Sequence, residues 1–270
     1  MSAEFERRGL LRAGGLLTLA AVLDACSPAA KNTTAAPPSS RPAAAASTSS
    51  SAPPRPPTPK AVDLLSDQRT CVLTKETIAG PTWFDAHDVR SDIRDGRPGV
   101  PLNLAFRVVT LPNCAPVPQA VVDLWQCDAL GVYSGFAGAG PGNGGNPGGR
   151  DEYGDKQSAP TDADRWLRGT QVSGADGIVR FSTIYPGWYP TRTVHLHLKV
   201  HLSEKTVLTT QLFFDDAVSD QVHSAHDPYR QHPGRGVRNP ADPFYSPTGL
   251  LKTAPSGDGW LAALTLGVVA

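Results

Sequence analysis

Hydrophobic and polar positions alternate with period two over seven short stretches of this chain: 100–111, 120–127, 166–172, 178–184, 194–201, 205–216 and 260–269. Period two is the signature of strands buried on one face. Gly, Pro, Asn and Asp cluster between them, as in Pro112–Pro118 and Gly174-Ala-Asp-Gly177, and mark turns. The spacing predicts an all-β fold, a β-sandwich of mainly antiparallel strands with long loops. Within it, 100–111 and 120–127 read as a hairpin-like pair with an irregular turn. Likewise 166–172 and 178–184 read as partners. The stretch 221–247 is rich in His, Asp, Pro, Arg and Tyr and reads as a long covering loop with room for a short helix. Apart from the N-terminus, no segment shows a convincing amphipathic helical period.

The N-terminal quarter departs from this pattern. Arg7-Arg8 before an apolar run from Leu10 to Leu23 resembles a twin-arginine export signal. Leu23-Asp-Ala-Cys26 resembles a lipoprotein cleavage box in which Cys26 takes a lipid anchor, with Asp24 as a departure from the usual small or apolar residue. Simple cleavage and release is the other reading. Residues 27–65 are a Pro/Ala/Ser linker with almost no large apolar side chain, too poor in buried surface to fold alone. The expected organisation is signal 1–26, linker 27–65 and folded domain 66–270. The expected location is outside a bacterial cell, lipid-anchored at the surface or secreted.

Composition narrows the function. Lys plus Arg equal Asp plus Glu at 25 each, so no basic excess exists to neutralise a nucleic acid. Four cysteines are present. With Cys26 assigned to the signal, Cys71, Cys114 and Cys127 are expected to form one disulfide and leave one buried thiol, the pair being open. No CxxC spacing suggests redox or metal chemistry. The Gly-rich stretch 137–149, inside a surface loop over 137–160, is no phosphate loop, because no helix with the required Lys follows.

The chemistry concentrates in Tyr185-Pro-Gly-Trp-Tyr189-Pro-Thr-Arg192-Thr-Val-His195-Leu-His197-Leu-Lys-Val-His201. On a strand, His195 and His197 share a face while Leu196 and Leu198 face the core, which makes half of a metal site. His201 lies four residues past His197, about 13 Å along a strand, too far to share one ion. A zinc hydrolase would further need a nearby Glu base, and the motif has none. Tyrosines are the alternative partners: Tyr189 on the preceding turn and Tyr133 at the end of another strand. Two phenolates with two neutral imidazoles form a hard, dianionic set suited to Fe(III). His223, His226 and His232 read as solvated or covering residues, Trp125 and Trp188 as core, and Tyr185 as stacked on the Pro-Gly turn.

Several segments together resemble the intradiol ring-cleavage dioxygenases, which act on catechol, hydroxyquinol and protocatechuate. They are Val122-Asp-Leu-Trp-Gln-Cys-Asp-Ala-Leu-Gly-Val-Tyr133, Leu167-Arg-Gly, Ile184-Tyr-Pro-Gly-Trp-Tyr189, Arg192-Thr-Val-His195-Leu-His197 and Thr209-Thr-Gln211-Leu-Phe-Phe. The resemblance runs in order over about 68–270. It implies non-haem Fe(III) held by Tyr133, Tyr189, His195 and His197. It implies catalytic roles for Tyr189, as a displaced ligand and base, for Arg192, as a stabiliser of developing negative charge, and for Gln211, as a hydrogen-bonding group. Gly80, Pro81 and Trp83 would line the substrate pocket, with Thr82-Trp83 standing where the family has Tyr-Tyr. The implied reaction inserts both atoms of dioxygen into a catechol-type ring between its hydroxyls and yields a muconate-type diacid. A different class of reading is an exported β-sandwich that binds aromatics or carbohydrate without catalysis. The oligomeric state stays open, with a homodimer as one expectation.

Overall fold

The structure, a computed structural model, describes residues 60–269 apart from 67–70, 87, 146, 151–153 and 155. The signal, Cys26 and nearly all of the proline-rich segment lie outside the described residues. The elements in order are β1 (Pro101–Thr110), β2 (Ala115–Pro116), β3 (Val121–Trp125), β4 (Pro147–Arg150), β5 (Lys156–Ser158), β6 (Arg168–Val172), β7 (Ile178–Ile184), β8 (His195–Leu202), β9 (Lys205–Phe213), α1 (Asp216–Ala225), β10 (Lys252–Ser256) and β11 (Gly259–Val268).

Most of these strands form two sheets. One is mixed: β10, β11 and β1 in order, with β7 and β2 sharing the far edge of β1 and a parallel β1–β11 pair. The other is antiparallel, in the order β6-β3-β8-β9. Side chains from both sheets fill one core, including Leu104 and Phe106 of β1, Leu124 of β3, Phe181 of β7 and Leu198 of β8. Full burial of each such side chain contributes roughly 1.5–3 kcal/mol. The expected all-β architecture stands.

Strand positions follow the alternation, but strand partners do not. The segments 100–111 and 120–127 are not a hairpin: β1 and β3 lie in different sheets, and only the two-residue β2 folds back on β1. The turn at 174–177 also switches sheets, since β6 pairs with β3 and β7 with β1. An apolar period states that a face is buried, not which neighbour supplies the ladder.

One further expectation is sharpened and one corrected. The stretch after β9 opens with a ten-residue helix, α1, capped by Asp215, whose side chain accepts from the Ala217 amide at 2.8 Å. It buries only Ser219 and Val222, too narrow a stripe to print a helical period. Ala61–Leu65, assigned to the linker by composition, forms a 3-10 turn that packs Ala61 and Leu65 against Ala105, Ile178 and Leu261. Cys71 and Cys114 form the disulfide, and Cys127 is a buried thiol whose pKa burial pushes up.

Candidate active site

Strand β8 has two buried faces, and this positions the site. Leu196, Leu198 and Val200 enter the core, while His195, His197 and Lys199 face the opposite side and are buried too. That second face is roofed by the segment around residues 79–84 and by the Gly-rich stretch after Tyr133. Tyr133 stands on the loop leaving β3, and Tyr189 on the turn entering β8.

The four side chains meet in a closed ring of polar atoms. Tyr133 Oη lies 3.3 Å from Tyr189 Oη, Tyr189 Oη 3.0 Å from His195 Nε2, His195 Nε2 3.1 Å from His197 Nε2, and His197 Nε2 3.0 Å from Tyr133 Oη. His195 Nδ1 donates to the Thr193 carbonyl at 2.7 Å, which leaves the Nε2 lone pair aimed at the centre. His197 is stacked on Trp125, with centroids 5.0 Å apart and rings 13° from parallel. Trp125 is therefore part of the site's packing rather than of the main core.

Burial sets the charge state. It pushes both phenols well above their ordinary range, with the neighbouring Tyr189 adding to the shift at Tyr133. It also lowers the imidazoles, His195 to about 3 with help from the Arg192 charge, and His197 well below its ordinary value with help from His195. Four neutral donors with converging lone pairs have the chemistry to hold a cation: a central positive charge would ionise the phenols that burial alone keeps protonated. No group of three or more His, Cys, Asp or Glu side chains gathers among the described residues, so the tyrosines are indispensable to any such site.

Arg192 is held beside the ring. Its Nε donates to Asp242 Oδ2 at 2.8 Å, its Nη2 to Asp242 Oδ1 at 3.3 Å and to Gln211 Oε1, and its guanidinium lies 4.6 Å from the Phe244 ring centre. Gln211 sits opposite His197 in the β8–β9 ladder, and its amide nitrogen donates to the Ile78 carbonyl at 3.0 Å. Both ends of that amide are engaged, so Gln211 ties Arg192 to the roof. Asp242 also accepts the Thr193 and Phe244 amides, each at 2.9 Å. Sequence reasoning missed Asp242, one of two carboxylates in 221–247, and no local signal marks it.

Two glycines fit the roof to the ring. Gly80, at φ +76°, would place a Cβ 3.3 Å from His197 Cε1. Gly142, at φ +71°, would place one 2.2 Å from Tyr189 Cδ2. The stretch 137–160 is thus more than a surface loop: it carries Gly142 against Tyr189, and its β4–β5 ribbon donates the Ser158 amide to the Pro81 carbonyl at 2.8 Å. Trp83 packs at the edge of the Tyr133–Tyr189–Trp125 cluster, and the Lys199 ammonium lies 3.9 Å from its ring centre. It also borders an open cleft of about 830 Å³ further along the same sheet face, with Asp123, Thr170, His201 and Thr206. This cleft does not contain the four-atom ring. His201 is engaged there with Asp123 at 3.0 Å and Thr206 at 2.8 Å, apart from the His195–His197 pair.

Two expectations about bystanders change. Tyr185 does not stack on the Pro-Gly turn; it is buried against Phe214, with its hydroxyl 2.9 Å from Ser219 of α1. His223 is not solvated: it stacks on Tyr229 and contacts the Pro186 carbonyl at 3.0 Å.

No protein-family model and no curated protein matches the chain. Solved structures do. An intradiol ring-cleavage dioxygenase from Tetranychus urticae is 30% identical with a TM-score of 0.65, the match covering 74% of this chain and 95% of that one. The dioxygenase domain of a dioxygenase carbohydrate-binding protein fusion from Streptomyces sp. SirexAA-E is 27% identical with a TM-score of 0.52, covering 74% of this chain and 100% of that one. A hydroxyquinol 1,2-dioxygenase from Pseudomonas putida shares the fold at 20% identity and a TM-score of 0.51, covering 77% of this chain and 71% of that one.

Proposed function

The chain belongs to the intradiol ring-cleavage dioxygenases, and on that premise we propose that it binds a non-haem ferric ion through Tyr133, Tyr189, His195 and His197 and opens catechol-type rings between their hydroxyls to muconate-type diacids. The observation that carries the iron reading is the closed ring of two phenolic oxygens and two imidazole nitrogens, with neighbours 3.0–3.3 Å apart and every member buried. When bound, ferric iron supplies Lewis acidity that acidifies both catechol hydroxyls and draws electron density from the ring.

The chain's own groups do the rest. Tyr189 is the least buried of the four, 8% exposed against 1–2% for the others. The family resemblance gives it the role of the side chain that leaves the centre, with its Oη taking a substrate proton. Arg192, held by Asp242 and Gln211, presents a fixed positive charge to negative charge developing on the substrate oxygens. Trp125, Phe136 and the roof exclude water, which strengthens that interaction. Trp83 and the Gly80-Pro81 turn bound the ring-binding side. Export directed by the Arg7-Arg8 signal, with a lipid anchor at Cys26, belongs to the same reading.

The test is dioxygen uptake by the iron-loaded protein with a panel of catechols and identification of the product. A ring-opened diacid with both oxygen atoms from dioxygen is expected. The loaded protein should be red-brown from tyrosinate-to-iron charge transfer. Zinc in the natively exported protein, or a colourless ferric form, would sink the ligand assignment.

A further inference from the structure

Asn239 is 5% exposed and opens a short 3-10 turn, Asn239–Ala241, just ahead of Asp242. Its side chain spans the ends of two strands. Nδ2 donates to the Phe214 carbonyl, just past β9, at 2.7 Å, and Oδ1 accepts from the Thr193 hydroxyl, just before β8, at 2.9 Å. A carbonyl only accepts, so the Phe214 contact fixes which end of the amide is nitrogen, and the Thr193 hydroxyl must donate to the other end. The turn is anchored as well. The Asn239 backbone amide donates to Asp216 Oδ2 at 3.0 Å, on the first residue of α1, and the Asn239 carbonyl accepts the Asp242 amide at 3.1 Å.

These contacts converge on Thr193, which is buried. Its amide donates to Asp242 Oδ2 at 2.9 Å, its hydroxyl donates to Asn239 and accepts from Arg235 Nη1 at 3.4 Å, and its carbonyl accepts from His195 Nδ1 at 2.7 Å. The last contact decides what His195 can do. A neutral imidazole carries its proton on either nitrogen, and the one that donates leaves the other as a lone pair. With the proton on Nδ1 and directed at Thr193, Nε2 offers its lone pair towards Tyr189 Oη and His197 Nε2. A Thr193 free to turn about its own torsions would carry its carbonyl off that line. Asp242 grips Thr193 through the backbone nitrogen. Asn239 grips it through the side chain and ties it to the end of β9, whose Phe213 lies opposite His195 in the ladder.

We infer that Asn239 is a positioning residue of the site: through the Thr193 hydroxyl it holds the Thr193 carbonyl against His195 Nδ1, and so keeps His195 in one orientation and one tautomer, with Nε2 turned to the four-atom ring. The inference rests on the ferric reading only for what the ring holds. The tautomer is a property of the metal-free chain.

The test reads the His195 imidazole of the metal-free protein by ¹⁵N–¹H correlation, the ring being assigned by the signals lost in His195→Gln. Wild type is expected to show a single tautomer with the proton on Nδ1. Thr193→Val keeps the side-chain shape and removes the donor, and Asn239→Ala removes its acceptor. Each is expected to show both tautomers and to weaken ferric-ion affinity, measured by chelator competition, about 10- to 100-fold. Thr193→Ser keeps a hydroxyl and is expected to restore the wild-type pattern. An Nε2-protonated His195 in wild type overturns the inference without any variant, and if Asn239→Ala does not fold, Thr193→Val and wild type carry the test. A Thr193→Val protein with a lowered Tm but the wild-type tautomer and ferric affinity overturns it too, since the contact would then be purely structural. So does a Thr193→Ser protein as impaired as Thr193→Val. A wild type that binds no ferric ion would defeat the ligand reading instead, and the tautomers alone would decide this inference.

Discussion

Asp242 holds Arg192 from fifty residues away, through Nε to Oδ2 at 2.8 Å and Nη2 to Oδ1 at 3.3 Å, with its carboxylate side chain fully buried. The same carboxylate accepts the backbone amide of Thr193, two residues before the first histidine. The Asp242–Arg192 pair therefore fixes both the cation and the entry to β8. Asp242→Asn keeps the shape and loses the charge. It is expected to cut kcat/KM on the order of 10- to 100-fold through misplacement of Arg192, and to lower stability by roughly 1–3 kcal/mol. Steady-state kinetics with thermal unfolding check both. Unchanged kcat/KM with a lowered Tm would make Asp242 purely structural.

Gly142 meets Tyr189 where no side chain fits. Gly142→Ala adds a Cβ 2.2 Å from Tyr189 Cδ2 at a φ of +71°. The left-handed backbone alone costs about 1–2 kcal/mol, and the ring must shift as well. The expected result is a lower Tm and a kcat loss larger than that of Gly138→Ala. Gly138 serves as control because nothing lies within 4 Å of its built Cβ. Equal effects at the two positions would refute the contact's importance.

His223 makes stability depend on pH. Burial first, then the Arg235 charge, lowers its pKa from 6.5 to about 4, while the Pro186 carbonyl and Asp220 oppose the shift. Between those values the unfolded chain holds more protons than the folded one. Stability from this group is full above pH 6.5 and is lost as pH falls through about 4, by up to about 3 kcal/mol. Chemical denaturation of wild type and His223→Gln from pH 7 to 4 should show a flatter profile for the variant. Parallel profiles would show that His223 does not titrate in this way.

The Cys71–Cys114 bond closes a 43-residue separation. Loop-closure entropy for that span is worth about 4 kcal/mol in the unfolded state. Cys71→Ser with Cys114→Ser is expected to lower stability by roughly 2–4 kcal/mol with activity per folded molecule retained. A Tm insensitive to reduction of the wild type would contradict this.

Much of the site was legible because three of its four polar side chains are local. His195 and His197 share a face by strand period alone, and Tyr189 lies six residues before His195, on the turn feeding the same strand. Tyr133 was legible through the motif around it. Asp242 and Gly142 were not, because one is an ordinary loop carboxylate and the other an ordinary loop glycine until the fold brings them to Arg192 and Tyr189. The false hairpins at 100–127 and 166–184 have the same origin. Both turns join strands of different sheets, and the period of a strand is indifferent to its partner.

By itself, the sequence determined seven of the strands, the all-β class, and the His195–His197 pair with Tyr189 beside it, since these depend on periodicity and on neighbours a few residues apart; Tyr133 came only from the family motif around it. Tertiary structure alone decided which strands pair, which two of the three cysteines after Cys26 join, and that Asp242 and Gln211 clamp Arg192. It also placed Trp125 opposite Arg168 on neighbouring strands. The reason is range: these relations join residues about forty or more apart in the chain, or only nineteen apart but in different secondary elements, and only packing of the two sheets and their roof selects one partner from many of equal chemistry.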